Sequence, residues 1–223
     1  MSKETLEKIL VSSFAYESSL IIISGGEPTQ HKDFFELMEM IVHWAPKDKE
    51  QRILILTNGL WAYNEEYTKM MIELAERPNT GIQVTHDPRF YPYNIREVEH
   101  KDIKYEHNIR LLANLGRTKQ LSEEERKGVP FRNSPNCYNF RSVLTARPDY
   151  TPVSVMKYLE TQGKFCTILF TPSGDISPSE CGRWIIGNID DNLSILDENA
   201  RASIKPCDEC GHYSTLPDFY KLF

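Results

Sequence analysis

The sequence predicts an α/β fold built on a parallel sheet, because helical and strand-like segments alternate through its first 90 residues. Two short apolar runs, LIIIS at 20–24 and RILILTNG at 52–59, are typical of strands that are buried on both faces. Each run is followed by a segment with helical periodicity. Strand–helix–strand units of this kind form parallel sheets through right-handed crossovers.

Three helices are predicted around these strands. The first is indicated by apolar residues at helical spacing, namely Leu6, Ile9, Leu10 and Phe14. FFELMEMIVHW, residues 34–44, predicts the second helix. YNEEYTKMMIELAER, residues 63–77, predicts the third, with Asn64 as its N-cap.

The middle of the chain is harder to interpret. GIQVTHD at 81–87 predicts a third strand, and DIKYE at 102–106 predicts a fourth. HNIRLLANLG, residues 107–116, predicts a short helix. Residues 116–150 are polar, with weak periodicity, and predict no definite element.

A helix and a hairpin are predicted nearer the C-terminus. TPVSVMKYLETQG, residues 151–163, predicts a helix with Thr151 as N-cap and Pro152 at the first helical position. The segment KFCTILFTPSGDISPSECG, residues 164–182, predicts two strands around a Ser-Gly turn.

Composition excludes several classes of function. A hydrophobic fraction of 40% and a charged fraction of 26% indicate a folded globular protein, and a net charge of −6 argues against a nucleic-acid surface. No apolar run reaches the roughly 18 residues that span a bilayer, and no secretory signal is visible. The five cysteines therefore predict metal or redox chemistry in a reducing cytoplasm.

SGGEP, residues 24–28, lies where a parallel strand ends, and ligands bind at such ends. Glycine lets the backbone approach a ligand closely, the Glu27 carboxylate can pair with an ammonium group, and Pro28 fixes the turn. The alternative is a tight strand-to-helix turn with an incidental glutamate.

Three segments in series resemble the radical S-adenosylmethionine (radical SAM) superfamily: ISGGEPTQHKDF at 23–34, LILTNG at 54–59 and IQVTHD at 82–87. The resemblance implies a (β/α) barrel in which the GGEP segment holds the methionine amino group of SAM. It implies SAM contacts at Gly25, Gly26, Glu27, Pro28, Thr57, Asn58, Thr85 and Asp87. For Asp87 and its neighbour His86, a surface-loop role is the alternative.

The C-terminal region resembles the auxiliary-cluster extensions, called SPASM or Twitch domains, of many of these enzymes. The resemblance implies a four-thiolate site, for which the candidate ligands are Cys166, Cys181, Cys207 and Cys210. Thiolates bind both [4Fe–4S] clusters and zinc; the family favours the cluster. A buried apolar Cys166 beside a lone C-x-x-C pair is the alternative. Cys137 is interpreted as an isolated loop cysteine, with substitution for one of the four ligands as the alternative.

The family's defining C-x-x-x-C-x-x-C loop has no counterpart here, since no cysteine precedes position 137. In the family this loop follows the first strand and holds the [4Fe–4S] cluster that cleaves SAM. Truncation, a split gene with a partner chain, and degeneration to a binding protein are the three explanations. A barrel without its first strand would expose the edge of the next strand, which predicts a partner chain or a homo-oligomer.

The resulting prediction is a partial radical SAM barrel that lacks its first strand, residues 1–150, followed by a cysteine-containing hairpin extension, residues 151–223. The chain would bind SAM and an auxiliary [4Fe–4S] cluster, with a peptide or small molecule as substrate. It would be an enzyme only if the missing cluster loop is supplied upstream or by a partner. The rival prediction is a non-catalytic binding or interaction module with a structural four-cysteine site, and a third alternative is a zinc-stabilised α/β domain of unrelated function.

Overall fold

The computed structural model of the protein describes residues 1–12, 18–45, 51–86, 94–106, 111–112, 122–127, 131–132, 143–144, 146–147, 149–161, 168–177 and 185–192. The chain divides into two compact units. One is formed by Ser18–Ile109, and the other by Met1–Glu17 together with Arg110–Phe223. The predicted division into residues 1–150 and 151–223 concerns family roles and stays a prediction.

The first unit contains a four-stranded parallel sheet, which confirms the predicted α/β class. Its strands are β1 (Leu20–Ile23), β2 (Arg52–Thr57), β3 (Thr80–Thr85) and β4 (Ile103–Glu106), and they lie in sequence order. Helix α2 (Phe34–Trp44) connects β1 to β2, and helix α3 (Glu65–Ala75) connects β2 to β3. Short 3₁₀ turns, Pro28–Gln30 and Leu60–Tyr63, precede the two helices.

The register of the sheet brings all four carboxyl ends to one edge. Ile23 pairs with Ile55, Thr57 pairs with Val84, and Thr85 pairs with Glu106, all in parallel strands. Since every strand runs in the same direction, the loops that follow β1, β2 and β3 leave from the same edge. The predicted SAM contacts that the structure describes lie at this edge.

One face of the sheet forms the core of this unit. Alternate residues of the central strands are buried, among them Ile53, Ile55, Ile82 and Val84. The helices contribute apolar residues of one stripe each, namely Phe34, Met38 and Ile41 from α2 and Met71, Leu74 and Ala75 from α3. On the other face of β2 and β3, Arg52 is exposed and the remaining residues are only half-buried.

Position 59 requires glycine for two physical reasons. Its φ of +81° lies in the left-handed region, which strains residues with a side chain. A Cβ at this position would also lie 2.7 Å from Cγ1 of Val84, which is buried in the neighbouring strand. The glycine of the TNG segment therefore lets the chain turn closely over β3.

The N-caps predicted for two helices are confirmed. The Asn64 side chain accepts a hydrogen bond from the Tyr67 amide at 3.0 Å. Helix α5 (Pro152–Thr161) begins directly after Thr151, whose hydroxyl accepts from the Ser154 amide at 3.2 Å. Both caps satisfy amide groups that the first helical turn leaves without a partner.

The helix predicted over residues 107–116 is wrong at Leu111 and Leu112. These two residues form β5 (Leu111–Leu112), which pairs in parallel with β6 (Phe131–Arg132). A short apolar run fits both helical and strand periodicity, and here pairing with a segment 20 residues away decides the outcome. The intervening helix α4 (Glu123–Arg126) is a single turn closed by a Ser122–Glu125 capping box.

The predicted hairpin is confirmed in the second unit. Strands β7 (Leu169–Phe170) and β8 (Asp175–Ser177) pair antiparallel, and β9 (Gly187–Asn188) extends them to a three-stranded sheet. Helix α1 (Lys3–Val11) belongs to the same unit, and its Lys8 ammonium lies 2.6 Å from the Asp190 carboxylate. The two ends of the chain thus contribute to one unit.

The Asp175 carboxylate organises the hairpin turn. It accepts hydrogen bonds from the Ser173 hydroxyl at 2.7 Å, the Asn188 side-chain amide at 3.0 Å and the Thr171 hydroxyl at 3.3 Å. These donors, led by Ser173 and Asn188, hold the pKa of Asp175 below its ordinary value of 3.8. The charged carboxylate is therefore the form that the folded turn favours.

Replacement of Asp175 by asparagine tests this turn through its pH dependence. Because the folded pKa is lowered, the stabilisation by Asp175 is complete above pH 3.8 and is lost as pH falls through the folded pKa. The difference in unfolding free energy between wild type and Asp175→Asn should thus be largest near neutral pH and should shrink in acid. Urea denaturation between about pH 2 and about pH 7 measures it. A difference that is constant with pH would contradict this role.

Candidate functional site

The site is built from the turns that follow β1 and β2. After β1, residues Ser24, Gly25 and Gly26 are exposed at the carboxyl edge of the sheet. Glu27 then acts as N-cap of the Pro28–Gln30 turn. At the end of β2, Thr57 and the following Asn58 are buried. The exposed glycine segment therefore lies beside a buried polar strand end.

The Glu27 carboxylate ties these two strand ends together. Its Oε1 atom accepts from the Thr29 amide at 3.2 Å, the Thr29 hydroxyl at 2.6 Å and the Thr57 hydroxyl at 2.7 Å. Its Oε2 atom accepts from the Asn58 amide at 2.6 Å. A carboxylate offers about four acceptor positions, two on each oxygen atom. The three bonds to Oε1 occupy both positions of that atom, whereas Oε2 has one described partner.

The third strand joins the same network. The Thr85 hydroxyl, at the end of β3, donates to the Thr57 carbonyl oxygen at 3.4 Å. Glu27, Thr29, Thr57, Asn58 and Thr85 thus form one connected group, here called the strand-end cluster. His86 is buried next to it, and its amide donates to the Glu106 carbonyl oxygen at 3.2 Å, which extends the pairing of β3 with β4.

The two glycines of the exposed segment differ in their backbone requirements. Gly25 has a φ of +154°, a conformation that residues with a side chain rarely adopt. Gly26 lies outside the positive-φ region, and among the described residues no atom would lie within 4 Å of a Cβ added there. The backbone geometry explains glycine at position 25 and leaves it unexplained at position 26.

The structure brings together most of the residues predicted to contact SAM. Glu27, Thr57, Asn58 and Thr85 are linked by hydrogen bonds, while Gly25, Gly26 and Pro28 flank Glu27 in the chain. Asp87 lies outside the described residues. Thr29 was missed by sequence reasoning, since the known N-cap preferences are for Ser, Thr, Asp and Asn and do not mark a hydroxyl that donates to a glutamate two residues earlier.

The predicted metal ligands Cys166, Cys181, Cys207 and Cys210 all lie outside the described residues, and so does Cys137. Within the described ranges, no group of three or more His, Cys, Asp or Glu side chains could hold a metal ion. Over the same ranges, no helix is both long and apolar enough to cross a membrane.

Among protein-family models and curated proteins, none matches this chain. The relation to the radical SAM superfamily therefore rests on the sequence resemblance.

The hydrogen bonds of Glu27 predict that its loss destabilises the fold. In Glu27→Ala, the Thr57 hydroxyl and the Asn58 amide lose their acceptor while remaining largely shielded from water, which costs about 2 kcal/mol of unfolding free energy. Thr29→Val removes one of the four bonds, the one from the Thr29 hydroxyl to Oε1, and should cost about half as much. Urea denaturation gives the unfolding free energy of both variants and tests this order of stability. If Glu27→Ala is as stable as wild type, the carboxylate does not support the strand ends.

Proposed function

We propose that the strand-end cluster and the adjacent Gly25–Gly26 segment bind the methionine moiety of SAM, with the SAM ammonium group near Glu27. The observation that carries the proposal is Gly26, an exposed glycine that neither backbone conformation nor crowding by described residues explains. Close approach of a ligand to the backbone is a remaining reason for glycine at such a position.

The chemistry of the cluster fits an ammonium group. An ammonium group donates three hydrogen bonds and accepts none, so it needs several oxygen acceptors close together. The Oε2 atom of Glu27 has acceptor capacity beyond its bond to the Asn58 amide, and the exposed backbone of residues 24–26 carries carbonyl oxygens. A charged carboxylate also strengthens each such bond.

In this proposal the chain is a partial radical SAM barrel whose own cysteines form an auxiliary site. The four-stranded parallel sheet and its sequential strand order support the barrel. The cluster that cleaves SAM has no ligands in this sequence before position 137, so this chain would bind SAM and require that cluster from elsewhere for catalysis. A cytoplasmic location and a peptide or small-molecule substrate belong to the same proposal.

The second candidate is a non-catalytic binding or interaction module. The hydrogen bonding of Glu27 favours it, because the carboxylate already has a structural role without any ligand. In this case the GGEP segment would be a strand-to-helix turn, and the four cysteines would hold zinc or a cluster for stability.

A matched pair of glycine variants separates the two candidates. In Gly26→Ala the added methyl group meets no described atom, so stability should be unchanged while SAM affinity falls at least about tenfold. The control is Gly81→Ala in β3, where the nearest atoms to an added Cβ lie at 3.9 Å and SAM binding should be retained. Titration calorimetry and melting temperature, at up to millimolar SAM, measure both properties.

Two outcomes would contradict the SAM proposal. One is a melting temperature of the wild type that does not change with SAM, since a ligand at 100 times its Kd should stabilise by about 2.7 kcal/mol. The other is equal SAM affinity of Gly26→Ala and wild type. The first outcome would favour the interaction module, and the second would place bound SAM away from the Gly25–Gly26 segment.

The cysteine site is tested by metal analysis of protein purified without oxygen. We expect about four irons and about four sulfides per chain, and their loss in the Cys207→Ala/Cys210→Ala variant. Cys137→Ala is the matched control and should retain the metal. About one zinc per chain without sulfide would indicate a structural zinc site in place of the proposed cluster. Equal metal content in all three proteins would exclude the C-x-x-C pair as ligands.

A further inference from the structure

The outer edge of β1 carries backbone groups that point away from the sheet. The Arg52 amide donates to the Ser19 carbonyl oxygen at 2.9 Å, which fixes the alternation along the strand. Ser19, Ile21 and Ile23 therefore direct their backbone groups toward β2, while Leu20 and Ile22 direct theirs outward. No strand in the described part of the chain pairs with this edge.

This edge lacks the features that usually prevent pairing with another chain. Residues 18–26 contain no charged residue and no proline, and all four residues of β1 are half-exposed. The opposite edge of the sheet differs, because β4 carries exposed Lys104 and Glu106. Charged residues on an edge strand are a common protection against pairing.

We propose that β1 pairs antiparallel with β1 of a second copy of this chain. The strand has no charge, so two copies meet without like-charge repulsion. Antiparallel pairing of identical strands has twofold symmetry and closes as a dimer. Pairing of β1 with β4 of another copy would be head-to-tail, so copies would keep adding to an open assembly. It would also place an apolar strand beside Lys104 and Glu106.

The hydrogen-bonding pattern restricts the position of the twofold axis. Only residues with outward backbone groups can form hydrogen-bonded pairs, and in β1 these are Leu20 and Ile22. The axis therefore passes beside Ile21, which pairs Leu20 with the second Ile22, or beside Leu20 or Ile22, which pairs that residue with its own copy. The dimer uses the strand edge and does not depend on SAM binding.

Sedimentation in reducing buffer, from about 10 μM to about 1 mM protein, tests the dimer. We expect a reversible monomer–dimer equilibrium, and Ile22→Lys should raise the dimer Kd at least about tenfold. Lys104→Ile is the control: it leaves a β1–β1 dimer unchanged and would strengthen β1–β4 pairing. A monomer at all concentrations, or open assemblies promoted by Lys104→Ile, would overturn the proposal.

Hydrogen exchange of the unaltered chain gives a second test that does not depend on a variant. The Leu20 and Ile22 amides should exchange at least about tenfold more slowly at high protein concentration than at low concentration. The Ile21 and Ile23 amides, which point toward β2, should be protected at both concentrations. A dimer that leaves Leu20 and Ile22 exchange unchanged would use another surface and would overturn the assignment.

Discussion

The hydrogen bonding of the Glu27 carboxylate is the constraint on which the candidate site depends. Parallel strands are held together along their length by the sheet, but the loops that leave their carboxyl ends receive no such support. Glu27 supplies it by accepting from groups of both the first turn and the end of β2, over a sequence separation of 30 residues. The exposed glycines directly before it are therefore positioned by a buried network.

This arrangement separates two roles that the sequence places in one short motif. Glu27 and Pro28 serve the turn, since the glutamate caps the 3₁₀ segment and the proline begins it. Gly25 serves the chain path through its positive φ. Gly26 serves neither among the described residues, which is why the proposed SAM site rests on this glycine.

Much of the first unit and the hairpin of the second unit could be predicted from sequence, because short apolar runs, turn residues and helix caps act locally. The strands at LIII and RILIL, the Asn64 cap and the Ser-Gly hairpin all follow from such signals. The pairing of Leu111 with Phe131 could not be predicted, since a two-residue strand is specified by its distant partner. The bonds from Thr57 and Asn58 to Glu27 likewise depend on strand order, which no local pattern encodes.

Association along the edge of β1 and formation of the strand-end cluster involve different groups in and next to the same four-residue strand. The backbone of Ile21 and Ile23 is engaged by β2, and the loop after Ile23 is fixed by Glu27. Only Leu20 and Ile22 have backbone groups directed outward, so a second strand could join this edge without breaking any described hydrogen bond of the cluster. Ligand binding at the carboxyl edge and association along β1 are therefore compatible, and a chain with both would present two symmetry-related glycine segments on one extended sheet.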